Sequence, residues 1–209
     1  MKSEWLTIGL LVDEFESRIS KFIDAESFVV SSGTAGLHCA YAVIGLNPGD
    51  EIISTPLTFV ATHSTAMAFG AKIVFGDVKQ TTGNLDPGLV EKLITENTKA
   101  ITVVDYAGHP ADLASFRDIA DKYNLYLIED AAHSFGAKYR GKSIGGIADL
   151  TIFSFFPTKN ITTGEGGAVA SLNPDLLDKA RKFARHGLVR NSTKFKMKPD
   201  GPWHQEVQS

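Results

Sequence analysis

The sequence predicts an α/β fold, with a mostly parallel central sheet and helices on both of its faces. Three observations lead there. Strand-like runs alternate with helix-like runs almost throughout, as βαβ units require. The 209 residues are 43% hydrophobic and 22% charged, enough to bury the core of one large domain. No internal repeat or low-complexity segment interrupts the alternation.

The elements follow in chain order. In "VDEFESRISKFI", Val12, Phe15, Ile19 and Phe22 recur at helical spacing, so the run is an amphipathic helix. "SFVV" (27–30) is a short strand running into the turn "SSGTAG". Leu37 to Leu46 reads as a buried helix closed by "NPGD", a strong turn. "EIIS" is the next strand, "FVATHSTAMAF" (59–69) a helix, and "KIVFGD" a strand after Gly70. Asp86 before Pro87 marks a helix start that should carry on to about Ile94. "KAITVV" is a strand, and "DLASFRDIADKY" a helix with Asp112 as its cap. "LYLIED" is a strand ending in two carboxylates, and "YRGKSIGG" a hairpin-like turn. "DLTIFSF" and "GGAVAS" are strands, and "NPDLLDKARKFARHG" a capped helix with a final glycine.

Composition excludes several function classes. Net charge is −3, from 21 basic and 24 acidic residues with no basic run, so neither nucleic acid nor an anionic membrane is an expected partner. The single cysteine, Cys39, cannot form a disulfide within the chain, which points to a reducing compartment. No run of 18 apolar residues suggests a transmembrane helix, and "MKSEWLTIGLLVDEF" lacks a signal-peptide cleavage site. A cytoplasmic location is expected, and no metal site.

Chemistry concentrates at three strand ends, where ligands of parallel sheets bind. In "VVSSGTAG", small residues between strand and helix leave backbone N–H groups free for an anion, and Thr34 adds a hydroxyl. The spacing is neither a Walker loop nor a dinucleotide fingerprint. In "LIEDAAHSFGA", Asp130 lies at the sheet's carboxyl edge, where it could cap a helix or face a buried cation. His133 could share a face with it in a helical turn, although a histidine there is more commonly structural. In "FSFFPTKNITTGEGG", Ser154 and Lys159 bracket an apolar turn followed by glycines that permit close ligand approach. Surrounded by Phe153, Phe155, Phe156 and Ile161, the lysine is expected to be desolvated, with a lowered pKa and a nucleophilic amine. An anion cradle, a strand-end aspartate and such a lysine together suggest pyridoxal 5′-phosphate (PLP). The lysine would form the Schiff base and the aspartate would keep the pyridine nitrogen protonated.

The motifs "SSGTAGLH", "LNPGDEII", "TFVAT", "GNLDP", "DYAGHPADL", "IEDAAHSFGA", "FSFFPTKNITTGEGG" and "RHGL" occur in an order and spacing that resemble the DegT/DnrJ/EryC1/StrS sugar aminotransferases. The resemblance covers nearly the whole chain. "DYAGHPADL", "KNITTGEGG" and "DGPW" are most similar to the branch acting on UDP-4-keto-6-deoxy-amino sugars. It implies the large domain of the aspartate-aminotransferase-like fold (type I) and transfer of an amino group from glutamate to a nucleotide-linked keto-sugar. Surface polysaccharide or lipopolysaccharide biosynthesis and a homodimeric full-length enzyme are implied with it. Residue by residue, Lys159 resembles the cofactor-anchoring acid–base lysine and Asp130 the pyridinium partner. Phe59 resembles the aromatic stacked on the cofactor ring; Thr34, the Ala35 backbone and Ser154 resemble phosphate ligands. His133 resembles the Gln/His position beside the cofactor's O3′.

The sequence departs from the family at Ile8 and Leu11, where "WLTTG" followed by proline is usual. Family chains also begin earlier and run longer. Residues 1–190 are therefore expected to be the PLP-binding large domain, incomplete at its N-terminus, and 191–209 the start of a connection to an absent C-terminal domain. Three alternatives remain. One is a non-catalytic truncated chain. Another is a family 3-dehydrase, which has histidine in place of the lysine and is disfavoured by Lys159. A cysteine desulfurase would need Cys39 on a mobile loop, whereas Cys39 falls in an apparently buried helix and is expected to be core.

Overall fold

The structure, a computed structural model, describes residues 9–189, 196–197 and 206–207. The expected boundary at residues 190–191 lies outside the described residues. A seven-stranded sheet forms the centre, in the order β1 (Glu26–Val30), β9 (Gly167–Ser171), β8 (Leu150–Ser154), β5 (Tyr126–Asp130), β4 (Thr98–Val104), β2 (Glu51–Ser54) and β3 (Lys72–Phe75). The pairs β3–β2, β2–β4, β4–β5 and β5–β8 are parallel. β9 runs antiparallel to both β8 and β1. It is thus the single reversed strand of this sheet, and its start at Gly167 lies on the edge where the other six strands end.

Strand side chains alternate between the two faces. Ile101, Val103, Leu127 and Phe153 pack under α1 (Leu10–Ile23) and α5 (Leu113–Tyr123), joined by Val90 of the short α4 (Pro87–Val90). Ala100, Ile128, Ile152 and Val169 pack under α2 (Gly33–Val43), α3 (Ala61–Met67) and α6 (Pro174–Ala184). Cys39 is buried in α2. The predicted layers are therefore present. A hairpin, β6 (Lys138–Tyr139) and β7 (Lys142–Ser143), turns through Arg140 and Gly141, both at positive φ. β10 (Leu188–Val189) pairs with β11 (Glu206–Val207).

α1 also closes one margin of the sheet. Ser20 Oγ accepts the Ser27 N–H at 3.0 Å, and Glu16 Oε1 accepts the Val29 N–H at 3.0 Å. Arg181 holds the Glu16 carboxylate and donates to the Ser27 carbonyl at 3.0 Å.

Some boundaries differ from expectation. α2 starts at Gly33, four residues before the expected Leu37, because Ser32 caps it by accepting the Ala35 N–H at 3.1 Å. It ends at Val43, before Gly45 takes φ +68°. Asp86 caps α4 through the Gly88 N–H, but the helix stops at Val90 and only a 3-10 turn, Glu91–Leu93, follows. Asp112 does not cap α5; its carboxylate is taken by the Tyr139 and Ser115 hydroxyls.

Candidate active site

The carboxyl ends of β1, β5 and β8 converge on a cavity of about 420 Å³. Its wall includes Thr34 from the first turn of α2, Phe59 from the loop after β2, Asp130 from the end of β5, and Ser154 and Lys159 from and after β8. An adjoining cavity of about 180 Å³ shares Phe59, Asp130 and Lys159 and adds Tyr106 and His133. Six of the seven expected site residues thus line one or the other cavity. Ala35 lines neither, and its N–H is taken by Ser32 Oγ.

The first turn of α2 places backbone N–H groups beside the cavity. A helix leaves its first N–H groups without intrahelical partners. With Ala35 bound to Ser32, Gly33 and Thr34 carry the remaining donors beside the cavity. Gly33 lies so close to β8 that a Cβ there would meet Ser154 Cβ at 3.0 Å. Gly167 is tighter still, since a Cβ would come within 2.7 Å of the Gly33 nitrogen. Glycine at both positions brings helix, β8 and β9 together at one point.

Lys159 lies within a loop closed at Phe155, whose carbonyl accepts the Thr163 N–H at 3.1 Å and the Thr162 hydroxyl at 2.9 Å. Burial lowers the lysine's pKa, and the charge of Asp130 partly offsets this. The expected shell of phenylalanines is only partly present. Phe153 and Phe155 are fully buried on the far face of the sheet, among Phe15 and Phe135. Phe156 alone of the three reaches the cavity wall, and Ile161 is exposed. Strand alternation explains the difference: Ser154 points to the cavity face, so Phe153 and Phe155 cannot.

Asp130 is buried, and burial is the main force raising its pKa. Opposing it, the Thr62 hydroxyl donates to Oδ2 at 2.7 Å, the Ala132 N–H donates to Oδ1 at 3.2 Å, and Lys159 and His133 add positive charge. His133 lies on a non-helical turn, and its pKa is lowered by burial and by Lys159. Phe59 is 73% exposed, so it is no core residue. Thr62 and Glu165 were not singled out by sequence reasoning. Thr62 hides within "TFVAT", and its partner is 68 residues away. Glu165 lies among the glycines that follow the lysine and lines the cavity.

The sequence pattern of the DegT/DnrJ/EryC1/StrS aminotransferase family matches residues 1–200. The chain belongs to this family. It is 42% identical over 194 residues to the UDP-4-amino-4,6-dideoxy-N-acetyl-beta-L-altrosamine transaminase of Campylobacter jejuni, covering 91% of this chain and 51% of that protein. Helicobacter pylori PseC, an aminotransferase involved in the biosynthesis of pseudoaminic acid, superimposes with a TM-score of 0.90 at 35% identity, covering 99% of this chain and 54% of that one. NtdA of Bacillus subtilis, solved with its bound cofactor PMP, gives a TM-score of 0.83 at 35% identity, covering 91% and 43%. The chain spans about half the length of these relatives. The fold expected from the motifs is thus the fold found. Among the described residues, no helix is long and apolar enough to cross a membrane.

Proposed function

We propose that the chain is the cofactor-binding part of a PLP-dependent aminotransferase. Its reaction would move an amino group from glutamate to a nucleotide-linked 4-keto-6-deoxy sugar, for surface polysaccharide or lipopolysaccharide. The observation that carries the reading is one cavity holding a desolvated lysine, a buried carboxylate and a helix N-terminus.

These residues fit PLP. Asp130 is buried with two hydrogen-bond donors, and burial works against its charge. A cation beside it restores the ionised form, which a protonated ring nitrogen would do. Gly33, Thr34 and Ser154 provide directed donors for the phosphate. Phe59 presents an exposed aromatic face at the wall. When bound, PLP supplies an electron sink for a substrate carbanion. The protein supplies the rest. Lys159, its pKa lowered by burial, gives up its proton more readily than an ordinary lysine, and it would be the amine that attacks a carbonyl and then carries a proton. Asp130 holds its charge in place through Thr62 and Ala132, so nothing reorganises as charge develops.

The names of the Campylobacter and Helicobacter relatives support an amino-sugar substrate. Glutamate and the homodimer rest on the family resemblance, and the cytoplasm on the single cysteine. Exposed Phe59, Val60, Phe156 and Ile161 on or beside the cavity wall support a covering second subunit. We propose residues 1–190 as the PLP-binding domain. The test is an absorbance spectrum of the purified chain with added PLP, before and after borohydride, with mass mapping of the label. A label on Lys159 is expected; a label spread over surface lysines would overturn the assignment.

A further inference from the structure

Behind the site, on the face of the sheet under α1 and α5, two buried carboxyl groups lie together without a cation. Glu129 is 0% exposed and Asp105 is 1% exposed. Glu129 stands opposite Val103 in the β4–β5 ladder, and Asp105 follows two residues later along β4, on the same face. Among the described residues neither makes an ion pair. Asp105 has its donors: the Ala111 N–H reaches Oδ1 at 2.9 Å and the Ser134 hydroxyl reaches Oδ2. Glu129 accepts only from Thr151, at 2.7 Å on Oε2, and its Oε1 receives no N–H or O–H donor. An ionised Glu129 would leave half of a buried charge unsatisfied, at a cost no protein accepts readily. The carboxyl that interacts with Glu129 is that of Asp105, the next residue but one beyond the Val103 it faces.

We propose that Glu129 is held protonated and donates through Oε1 to Asp105, so that the pair carries one proton and one charge and fixes the two loops bearing Tyr106 and His133. The charge stays on Asp105 because Asp105 has the donors. Loop 105–111 hangs on it through Ala111, and the 131–134 turn through Ser134. Both loops need such an anchor. Ala107 sits at φ +53°, and a Cβ on Gly108 would come within 2.8 Å of the His133 carbonyl. Glu129 and Asp105 are positioning residues; they act on the site through these loops. The location of the proton stands independently of the transaminase reading, and only its effect on turnover rests on that reading.

The titratable groups acting on the pair are its own two members and Asp130. The other neighbours are the Thr151 and Ser134 hydroxyls and the Ala111 N–H. Burial raises both carboxyls, Asp105 to about 6 and Glu129 well above the ordinary carboxylate range. The folded state then binds protons that the unfolded state releases. The pair's contribution to stability is complete in acid and is lost as pH climbs through the raised values.

The experiment compares the wild type, Glu129→Gln and Asp105→Asn. Glutamine imitates the neutral acid at every pH. Glu129→Gln should match the wild-type melting temperature at about pH 4, where the unfolded carboxyl is itself largely protonated, and exceed it by about 2–4 °C or more at about pH 9. It should also remove a protonated-carboxyl band from the neutral-pH infrared spectrum. Asp105→Asn should speed hydrogen exchange of the Ala111 and Ser134 amides about tenfold or more at all pH values. Should Asp105→Asn fail to fold, Ser134→Ala tests the 131–134 turn alone. A wild type with no such infrared band, or a Glu129→Gln equally destabilised at both pH values, would show an ionised Glu129 and overturn the proposal. Unchanged exchange in the Asp105 or Ser134 variant would overturn the anchoring role.

Discussion

Thr62→Val tests whether the charge on Asp130 depends on a hydroxyl from α3. Thr62 is fully buried, and its hydroxyl donates to Asp130 Oδ2 at 2.7 Å. Valine keeps the shape and removes the hydroxyl, together with its contacts to the Thr58 hydroxyl at 2.9 Å and the Phe59 carbonyl at 3.0 Å. The backbone carbonyl of Thr62, which accepts the Tyr41 hydroxyl at 2.8 Å, is unaffected. Asp130 would retain the longer bond from the Ala132 N–H, and its already raised pKa would rise further. A hydrogen bond to a charged group contributes about 1.5–3 kcal/mol. If PLP needs the ionised aspartate, its affinity should fall about 10- to 100-fold. Fluorescence titration with PLP measures this, and Thr62→Ser should restore most of the loss. A folded Thr62→Val that binds within about twofold of the wild type would refute the reasoning.

Further outcomes follow from the same geometry. Lys159→Ala should abolish the borohydride-fixed label and leave the melting temperature nearly unchanged, since the side chain carries no core packing. Asp130→Asn in the complete enzyme should retain some PLP and lose about 100-fold or more of turnover, measured by amino-sugar formation. Because burial lowers the pKa of Lys159, its amine should become reactive at lower pH than an ordinary lysine. Competitive acetylation read by mass spectrometry measures that midpoint, and an ordinary value would contradict the desolvated site. Glu16→Ala removes an acceptor shared by the Val29 N–H, Arg181 and Arg185, and urea unfolding should show a loss of about 3 kcal/mol.

Much of this was legible in the sequence because it was local. The Asp86–Pro87 start and the "KAITVV" and "LYLIED" strands declared themselves through caps and apolar runs. Misread features involved distant partners. "SSGTAG" has the composition of a turn, but Gly33 and Gly36 are helical and glycine for packing: a Cβ on Gly36 would meet Ile152 Cγ2 at 2.9 Å. Asp112 looked like a cap, yet Tyr139 claims it from 27 residues away. In the site, Lys159, Asp130 and Thr34 were visible as strand-end chemistry, whereas Thr62 carried no local signal. The phenylalanines beside Lys159 were misassigned because an apolar run was read as one wall. Period-two alternation, applied to "TIFSF", would have sent Phe153 to the far face.

The capped margin of β1 has a consequence for how the protein behaves in company. Edge strands recruit other chains through their outward N–H and C=O groups. The outward N–H groups of Ser27 and Val29 are both occupied by side chains from α1, and the Ser27 carbonyl by Arg181. A neighbouring molecule finds no template there for adding a strand. At high concentration or during synthesis, this side of the sheet resists edge-to-edge aggregation once α1 has docked, and a chain lacking α1 would expose it.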